Sequence, residues 1–131
     1  MADFRWETRG EIDLAALEHL FARAWDGHGK GDYDQVLDRS FTWVTAHYRS
    51  QLIGFVKVAW DGGVHFFLLD TTVHPDFQRR GIGTAVVRTA INSCRGHGEW
   101  LHVDSDQELM QRLYLPAGFA EAIAGTVNVE S

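Results

Sequence analysis

The stretch from residue 78 to residue 84, Gln-Arg-Arg-Gly-Ile-Gly-Thr, carries the residue types best suited to binding an anion. It follows an extended run and precedes an amphipathic helix that begins at about Gly81. Glycine lets the backbone approach a ligand closely, and the first N–H groups of a helix have no partner within the helix. These donors and the positive end of the helix dipole favour a phosphate, while Arg79 and Arg80 add charge and Thr84 adds a hydroxyl.

Three interpretations of this turn compete. A Rossmann dinucleotide turn requires a third glycine, but Val86 stands at that position, and the Gly-Lys-Ser/Thr of a P-loop is absent. An ordinary strand–helix turn without a ligand remains open for a Gly-x-Gly on its own. The residues by themselves therefore predict only an anion at a helix N-terminus.

Two motifs at a matching separation narrow the choice. The hexapeptide 78–83, preceded by Val-His-Pro, resembles the acyl-CoA pyrophosphate loop, Gln/Arg-x-x-Gly-x-Gly/Ala, of the GNAT acetyltransferase superfamily. The run LHVDSDQELMQRLYLPAGF resembles that family's strand and helix ending in Tyr-x-x-x-Gly-Phe, with Tyr114, Gly118 and Phe119 in those places. The resemblance covers nearly the whole chain. The sequence departs from the family pattern at Gln107, where asparagine is common, and at Met110, where alanine is common.

The resemblance implies acetyl-CoA as co-substrate and a small set of residues around the donor. Backbone N–H groups at Thr72 or Val73 would bind the acetyl carbonyl, where the family's sheet splays open. Tyr114 would be the general acid for the leaving thiolate, with Ser105 as a possible substitute donor. The predicted cofactor-binding residues are Thr72, Val73, Gln78, Arg79, Arg80, Gly81, Ile82, Gly83, Thr84 and Gln107.

The general base is a separate question, for which Asp70 is the first candidate. It is the one acid in the apolar run VHFFLLDTTV, so burial is expected to raise its pKa towards a useful value. Asp70 could instead be a counter-charge for the substrate ammonium while water carries the proton away, or a structural carboxylate. His65 has the opposite strand parity to Asp70, which predicts opposite sheet faces. His47 and Tyr48, on a neighbouring predicted strand, remain possible.

The elements that must position these residues follow from the change in hydrophobic period. An edge strand in FRWETRGEI precedes a helix capped by Asp13, and the polar loop DGHGKGD precedes a short helix capped by Asp32 or Asp34. Three β-rich runs then form hairpins, followed by a helix over 81–94, a strand WLHVDS, and a helix QELMQRLYL stopped by Pro116 and Gly118. FAEAI and TVNVE are predicted to close the chain as a hairpin. This order predicts an α/β fold class with a mixed α+β sheet. The resemblance implies the GNAT fold, in which helices flank a mostly antiparallel sheet.

Composition bounds the partners and the cellular context. A chain of 131 residues favours one domain over 1–131, and a formal charge of −6 disfavours nucleic acid and anionic membranes. The lone Cys94 is interpreted as a buried structural thiol in a reducing, cytoplasmic setting. The seven histidines are scattered without ligand spacing, which argues against a metal site. Trp25, Trp43 and Trp60 are expected in the core, although one of them or Phe66 could line an acceptor pocket.

The resemblance implies an N-acetyltransferase that moves an acetyl group from acetyl-CoA to a primary amine of a small molecule by direct attack. The acidic balance and Asp70 fit a cationic acceptor. Acetylation of a protein N-terminus or lysine is the alternative within enzymes, and a non-catalytic acyl-CoA sensor is the alternative outside them. The resemblance makes a homodimer possible.

Overall fold

The computed structural model of the chain describes residues 3–26 and 31–130, and its centre is one five-stranded sheet. The strands follow one another across the sheet in chain order, so that β1 and β5 are its two edges. Neighbours from β1 to β4 are antiparallel, while β4 and β5 are parallel. The mixed sheet predicted from the sequence is confirmed. The strands are β1 (Phe4–Thr8), β2 (Thr42–Tyr48), β3 (Gln51–Trp60), β4 (His65–Val73) and β5 (Trp100–Val103).

The helices lie where the apolar period changes. Asp13 caps the first by accepting from the Ala15 N–H at 3.0 Å, and Asp32, rather than Asp34, caps the second. No helix within 3–26 or 31–130 is long and apolar enough to span a bilayer. The helices are α1 (Leu14–Ala24), α2 (Tyr33–Asp38), α3 (Ile82–Cys94), α4 (Gln107–Leu109) and α5 (Leu115–Ala117), with a 3-10 turn (Pro75–Phe77) before α3 and a π-helical turn (Met110–Tyr114) joining α4 to α5.

The two faces of the sheet carry separate cores. On one face α3 packs against the strands, and Cys94 is buried there, with burial raising the pKa of its thiol to about 11. This agrees with the interpretation of Cys94 as structural. On the other face α1 and α2 cover the β2–β3 half of the sheet through residues that include Phe21 and Phe55. That helical cover leaves Phe67 and Leu69 of β4 exposed.

The sheet opens between β4 and β5. These strands pair only from His65↔Trp100 to Leu68↔Val103, whereas β4 continues to Val73 beside β3 alone. The register between β3 and β4 shifts between Phe55 and Lys57, and Asp70 has a φ of 60°, in the left-handed region. The end of β4 is therefore an irregular strand with a free side.

Two predictions about the chain are corrected by the structure, and a third concerns residues outside those that it describes. Pro116 does not stop the last helix, because the π-helical turn before it has already shifted the backbone hydrogen bonds: the Leu115 N–H donates to the carbonyl of Met110. The helix ends at Gly118, which has a φ of 120°. The predicted C-terminal hairpin is wrong: residues 119–130 contain neither strand nor helix, because an isolated two-stranded ribbon is marginal in water. Residues 27–30 of the predicted loop lie outside the described residues.

Candidate active site

The turn before α3 has the backbone geometry of an anion site. Gly81 is the N-cap of α3 and has a φ of 83°. Because glycine has no side chain, it leaves the first N–H groups of the helix without a side-chain cap. A Cβ on Gly83 would meet Leu113 and Val73 at 3.5 Å, so a methyl group would just fit. Arg79 has a φ of 65°, a conformation that costs energy in a non-glycine residue.

A cavity of about 500 Å³ joins this turn to the free end of β4. Residues from four separate parts of the chain line this cavity. Its lining includes Thr71–Val73, Arg79 and the start of α3. The aromatic wall includes Trp25, one of the tryptophans considered for a pocket. The lining residues are Ala24, Trp25, Thr71, Thr72, Val73, Phe77, Gln78, Arg79, Gly81, Gly83, Thr84, Leu109, Arg112 and Leu113.

The remaining predicted cofactor residues have other contacts. The Gln78 side chain lines the cavity but also donates to the Val73 carbonyl at 3.2 Å, which ties the turn to β4. The guanidinium of Arg80 lies over the ring of Phe77 at 5.2 Å, and Ile82 is buried in the core. Gln107 does not line the cavity; its side chain donates to Glu121 at 3.2 Å. The roles of these residues stay predictions.

The hydroxyl of Tyr114 lies at the opening of the sheet. It donates to Oγ1 of Thr71 at 3.1 Å, and Thr71 lines the cavity. The tyrosine is 5% exposed, and burial, the largest cause, raises the pKa of its phenol above the usual value. It stands on the π-helical turn, a feature often found at functional sites. The phenol is therefore protonated at neutral pH and beside the cavity.

Asp70 has partners that the sequence analysis did not foresee. Its Oδ2 accepts a hydrogen bond from the Tyr33 hydroxyl and another, at 2.9 Å, from Lys57 Nζ. The carboxylate thus lies beside a cation, and not alone in an apolar environment. Among residues 3–26 and 31–130, Oδ1 receives no hydrogen bond that competes with a ligand. Burial and the bond to Asp70 raise the pKa of the Tyr33 phenol far above its usual value.

The prediction that His65 and Asp70 lie on opposite faces of the sheet is wrong. Lys57 pairs with Leu69 and contacts Asp70, so both Leu69 and Asp70 direct their side chains to the α1–α2 face. The positive φ of Asp70 and the register shift in β3 break the alternation, which returns Asp70 to the face of His65. His65 nevertheless belongs to a different group, because its Nδ1 lies 2.8 Å from Nε2 of His102.

The other candidates for chemistry have structural contacts. His47 lies 3.0 Å from both Glu7 and Thr45, while Tyr48 packs against Phe4 and Phe77. Ser105 donates to the backbone of Asp106. Within the part of the chain that the structure describes, no three His, Cys, Asp or Glu side chains are grouped to hold a metal.

Four residues of the candidate site were not predicted from the sequence: Tyr33, Lys57, Thr71 and Arg112. Lys57 did carry a signal, because it is the one charged residue in β3 just as Asp70 is the one acid in β4, and these strands form a hairpin. Thr71 is adjacent to Asp70 and could have been included by position. Arg112, which adds a second cation to the cavity, and Tyr33, beyond a polar loop, carried no such signal.

Comparison with known proteins decides the family. The family model described as acetyltransferase (GNAT) family matches residues 5–119. The chain belongs to the GNAT family. A curated relative, described as uncharacterized N-acetyltransferase ycf52 of Pyropia yezoensis, is 37% identical over 46 residues, which is 35% of this chain. The match spans 26% of the length of that relative.

Solved structures share the GNAT fold over almost their full length. The GNAT family protein SP0256 of Streptococcus pneumoniae superposes with a TM-score of 0.81 at 19% identity, covering 97% of this chain and 99% of that one. The structure of AAC(6')-Iy in complex with the bisubstrate analog CoA-S-monomethyl-acetylneamine superposes with a TM-score of 0.77 at 17% identity, covering 98% of each chain. At these identities the likeness concerns the fold. As a GNAT protein, the chain is classed among acetyltransferases.

Proposed function

We propose that this GNAT protein transfers an acetyl group from acetyl-CoA to a primary amine of a small molecule by direct attack. One observation carries the proposal: the turn before α3 and the free end of β4 line the same cavity, with the Tyr114 phenol hydrogen-bonded to its Thr71 wall. A donor bound by its phosphates at α3 would present its thioester at the opening of the sheet.

The residues of the turn fit a polyanionic donor. Arg79 and Arg112 bring two cations to the cavity of a chain whose net charge is −6. The N–H groups that begin α3 and the hydroxyl of Thr84 would bind the pyrophosphate. Gly83 leaves open the space that a larger side chain would take against Leu113. Bound there, acetyl-CoA supplies an activated acyl group.

The free side of β4 would stabilise charge on the acetyl oxygen. Along a strand, successive N–H groups point alternately to opposite sides, so one of Thr72 and Val73 directs its N–H away from β3 and into the opening. An oriented backbone donor aimed at a developing oxyanion lowers a barrier by about 3 kcal/mol.

Tyr114 would protonate the departing thiolate. Its phenol is held by one neutral hydrogen bond to Thr71, so it can change partner at small cost and donate to a sulfur at the cavity wall. A phenol near pKa ~10 and a thiol near ~8.5 make full transfer uphill in water by about 2 kcal/mol. A hydrogen bond to the sulfur that strengthens as charge develops supplies most of the benefit.

Asp70 would bind the acceptor amine and accept its proton. Lys57 and Tyr33 hold one carboxylate oxygen and so orient the other. Asp70 precedes Thr71, so the amine and the thioester would meet at consecutive residues of β4. The small amine is supported by the acidic chain and by the solved relative whose bound analog joins CoA to acetylneamine.

The test is a thiol-release assay with acetyl-CoA, corrected for hydrolysis. Acceptors are polyamines, arylalkylamines, aminoglycosides, amino acids and lysine-containing peptides, with calorimetry of acetyl-CoA binding in parallel. We expect release with one or more small amines. Release with peptides alone would assign a protein acetyltransferase, and tight binding without release from any acceptor would assign an acyl-CoA sensor.

A further inference from the structure

An uncovered apolar strip lies beside Asp70, on the face of the sheet that carries α1 and α2. Phe67 and Leu69 of β4 are 44% and 40% exposed on this face. Their neighbours Phe66 and Leu68 are buried in the α3 core on the opposite face, as alternation along a strand requires. Neighbouring large apolar side chains that stay exposed mark a place where a ligand or a partner binds.

Two histidine rings make part of this strip flat and fix its orientation. The ring of His102, from β5, stacks on Phe67 with 5.1 Å between the ring centroids and 20° between the planes. Its Nε2 lies 2.8 Å from Nδ1 of His65. Within residues 3–26 and 31–130, Nε2 of His65 and Nδ1 of His102 have no hydrogen bond that would compete with a ligand. We call His65, Phe67, Leu69 and His102 the β4 strip.

The β4 strip ends at a negative charge. Leu69 is followed directly by Asp70, whose side chain is 32% exposed. Burial, the hydrogen bond to Asp70 and the negative charges of Asp70 and Glu18 raise the pKa of the Tyr33 phenol, so two carboxylates lie around this phenol. The ammonium of an acceptor is therefore favoured at this end of the strip.

The carboxylate at the other end of the β4 strip closes a turn. Asp61 Oδ1 accepts hydrogen bonds from the backbone N–H groups of Gly63 at 2.7 Å and His65 at 3.3 Å. Three residues of strand separate Phe67 from Asp70, which corresponds to about 10 Å. A ligand with one cation and an apolar body of that length matches this distribution of charge and apolar surface.

We propose that the acceptor is a singly charged amine in which a short carbon chain joins the primary amine to an aromatic ring. This substrate class rests on the proposed function and makes its small amine specific. The ammonium would lie at Asp70, the chain over Leu69, and the ring against Phe67 and His102, where offset or edge contacts between rings are favourable. Polyamines and aminoglycosides would place a further ammonium on the apolar strip, where a charge without a partner is costly.

Strand β4 would bring this acceptor and the donor together. The strip occupies the first part of the strand, and Thr71–Val73 at its end line the donor cavity. Asp70 takes one proton from the ammonium and releases it to water. The free amine attacks the acetyl carbon, so that a C–N bond forms as the C–S bond breaks. The thiolate takes the proton of Tyr114, and the second proton lost by the nitrogen restores the phenol.

The first experiment compares acceptors of the full chain in the thiol-release assay. The acceptors are 2-phenylethylamine, n-hexylamine, spermidine and neamine, and kcat/KM is measured for each. We expect the value for 2-phenylethylamine to exceed the others by about tenfold or more, because only this acceptor places a ring against the strip. An equal or higher value for n-hexylamine, spermidine or neamine would overturn the proposal.

The second experiment changes the strip itself. Phe67→Asp places a carboxylate where the ring is proposed to lie, so kcat/KM should fall about tenfold or more for 2-phenylethylamine and rise for spermidine. Val64→Asp is the matched control, because Val64 is 46% exposed but lies in the turn between β3 and β4, outside the strip. It should keep wild-type values for both amines.

A milder variant guards against a failure to fold. Phe67→Leu keeps an apolar side chain and removes the ring, so the preference for 2-phenylethylamine over n-hexylamine should shrink. Circular dichroism and the melting temperature verify the fold of each variant. Wild-type acceptor preference in folded Phe67→Asp or Phe67→Leu would contradict the proposal.

Binding without turnover separates this substrate class from the proposed function. 2-Phenylethylamine is titrated into the nitrogen-15-labelled chain saturated with CoA, and the backbone amide shifts are followed. We expect shifts at residues 67–70 and at His102. Shifts there without acetyl transfer to any amine would support the strip and refute the transferase. Acetyl transfer without these shifts would refute the aromatic acceptor and leave the transferase standing.

Discussion

Lys57 and Asp70 form an ion pair across β3 and β4, with 2.9 Å between Lys57 Nζ and Asp70 Oδ2, at the point where the pairing of the two strands is irregular. The side chains are only 12% and 32% exposed, so the pair is largely withdrawn from water. Tyr33 donates to the same oxygen, and its ring lies 5.5 Å from the ammonium. Two residues distant in sequence from Asp70 therefore hold its carboxylate beside the opening of the sheet.

Replacing the cation should affect both stability and turnover. We expect Lys57→Met to lower the free energy of unfolding by about 1–2 kcal/mol, since it leaves a partly buried carboxylate without its counter-charge. It should also lower kcat more than it raises KM, because Asp70 loses its orientation. Urea denaturation and steady-state kinetics measure the two effects. Lys57→Arg is the control that keeps the charge, and wild-type kcat and KM in Lys57→Met would make the pair purely structural.

Gly83 should tolerate a methyl group and nothing larger. Its missing Cβ lies at ordinary contact distance from Leu113 and Val73, so Gly83→Ala should retain acetyl-CoA affinity within a few-fold. Gly83→Leu should reduce the affinity below detection by calorimetry, because the longer side chain enters the cavity. Wild-type affinity in the leucine variant would refute the assignment of the cavity to the donor.

Gly81 should be sensitive for a different reason. Its φ of 83° costs an L-residue about 1–2 kcal/mol, although no atom lies within 4 Å of a Cβ there. Gly81→Ala should therefore lower both the melting temperature and the donor affinity. Gly81→Asn should lose less of each, since asparagine adopts this conformation more readily. Equal behaviour of the two variants would show that backbone strain is not the cause.

Removing the phenolic hydroxyl of Tyr114 should slow turnover and spare donor binding. We expect Tyr114→Phe to reduce kcat by about 10²-fold or more, the usual contribution of a general acid. Because burial raises the pKa of this phenol above its ordinary value, wild-type kcat should persist to alkaline pH before falling. Thr71→Val keeps the phenol and removes its partner, so it serves as the control with a smaller loss. Unchanged kcat in Tyr114→Phe would assign Tyr114 to the core alone.

His47 should make the fold sensitive to mild acid. Burial, with a contribution from Arg5, lowers the pKa of its imidazole below the ordinary 6.5. The folded state thus binds fewer protons than the unfolded state, so the stability contributed by neutral His47 is present above pH 6.5 and is lost as pH falls through the folded pKa. Urea midpoints at pH 5 and 7.5 should differ more for wild type than for His47→Gln. An equal difference would place the acid sensitivity elsewhere.

Local patterns were sufficient for most elements. Asp13 and Asp32 cap the helices that follow them, because a short acceptor before an apolar helical period acts within a few residues. The prediction that Pro116 stops the helix failed because it used local residues alone. No pattern in residues 107–117 predicts the π-helical turn that precedes the proline. The hairpin predicted for the C-terminal segment failed because alternation alone does not supply a neighbouring strand.

The sequence by itself determined the glycine-containing turn before α3, the tyrosine motif and the family to which they point, because glycines, arginines and caps act over short spans of chain. Only the tertiary structure decided which side chains contact the carboxylate of Asp70. Its carboxylate meets Lys57 and Tyr33 only after β3 and β4 pair with an irregular register and α2 packs across them, and its positive φ overrides the alternation of the strand. The same is true of the cavity, since residues far apart along the chain become neighbours only where β4 and β5 diverge.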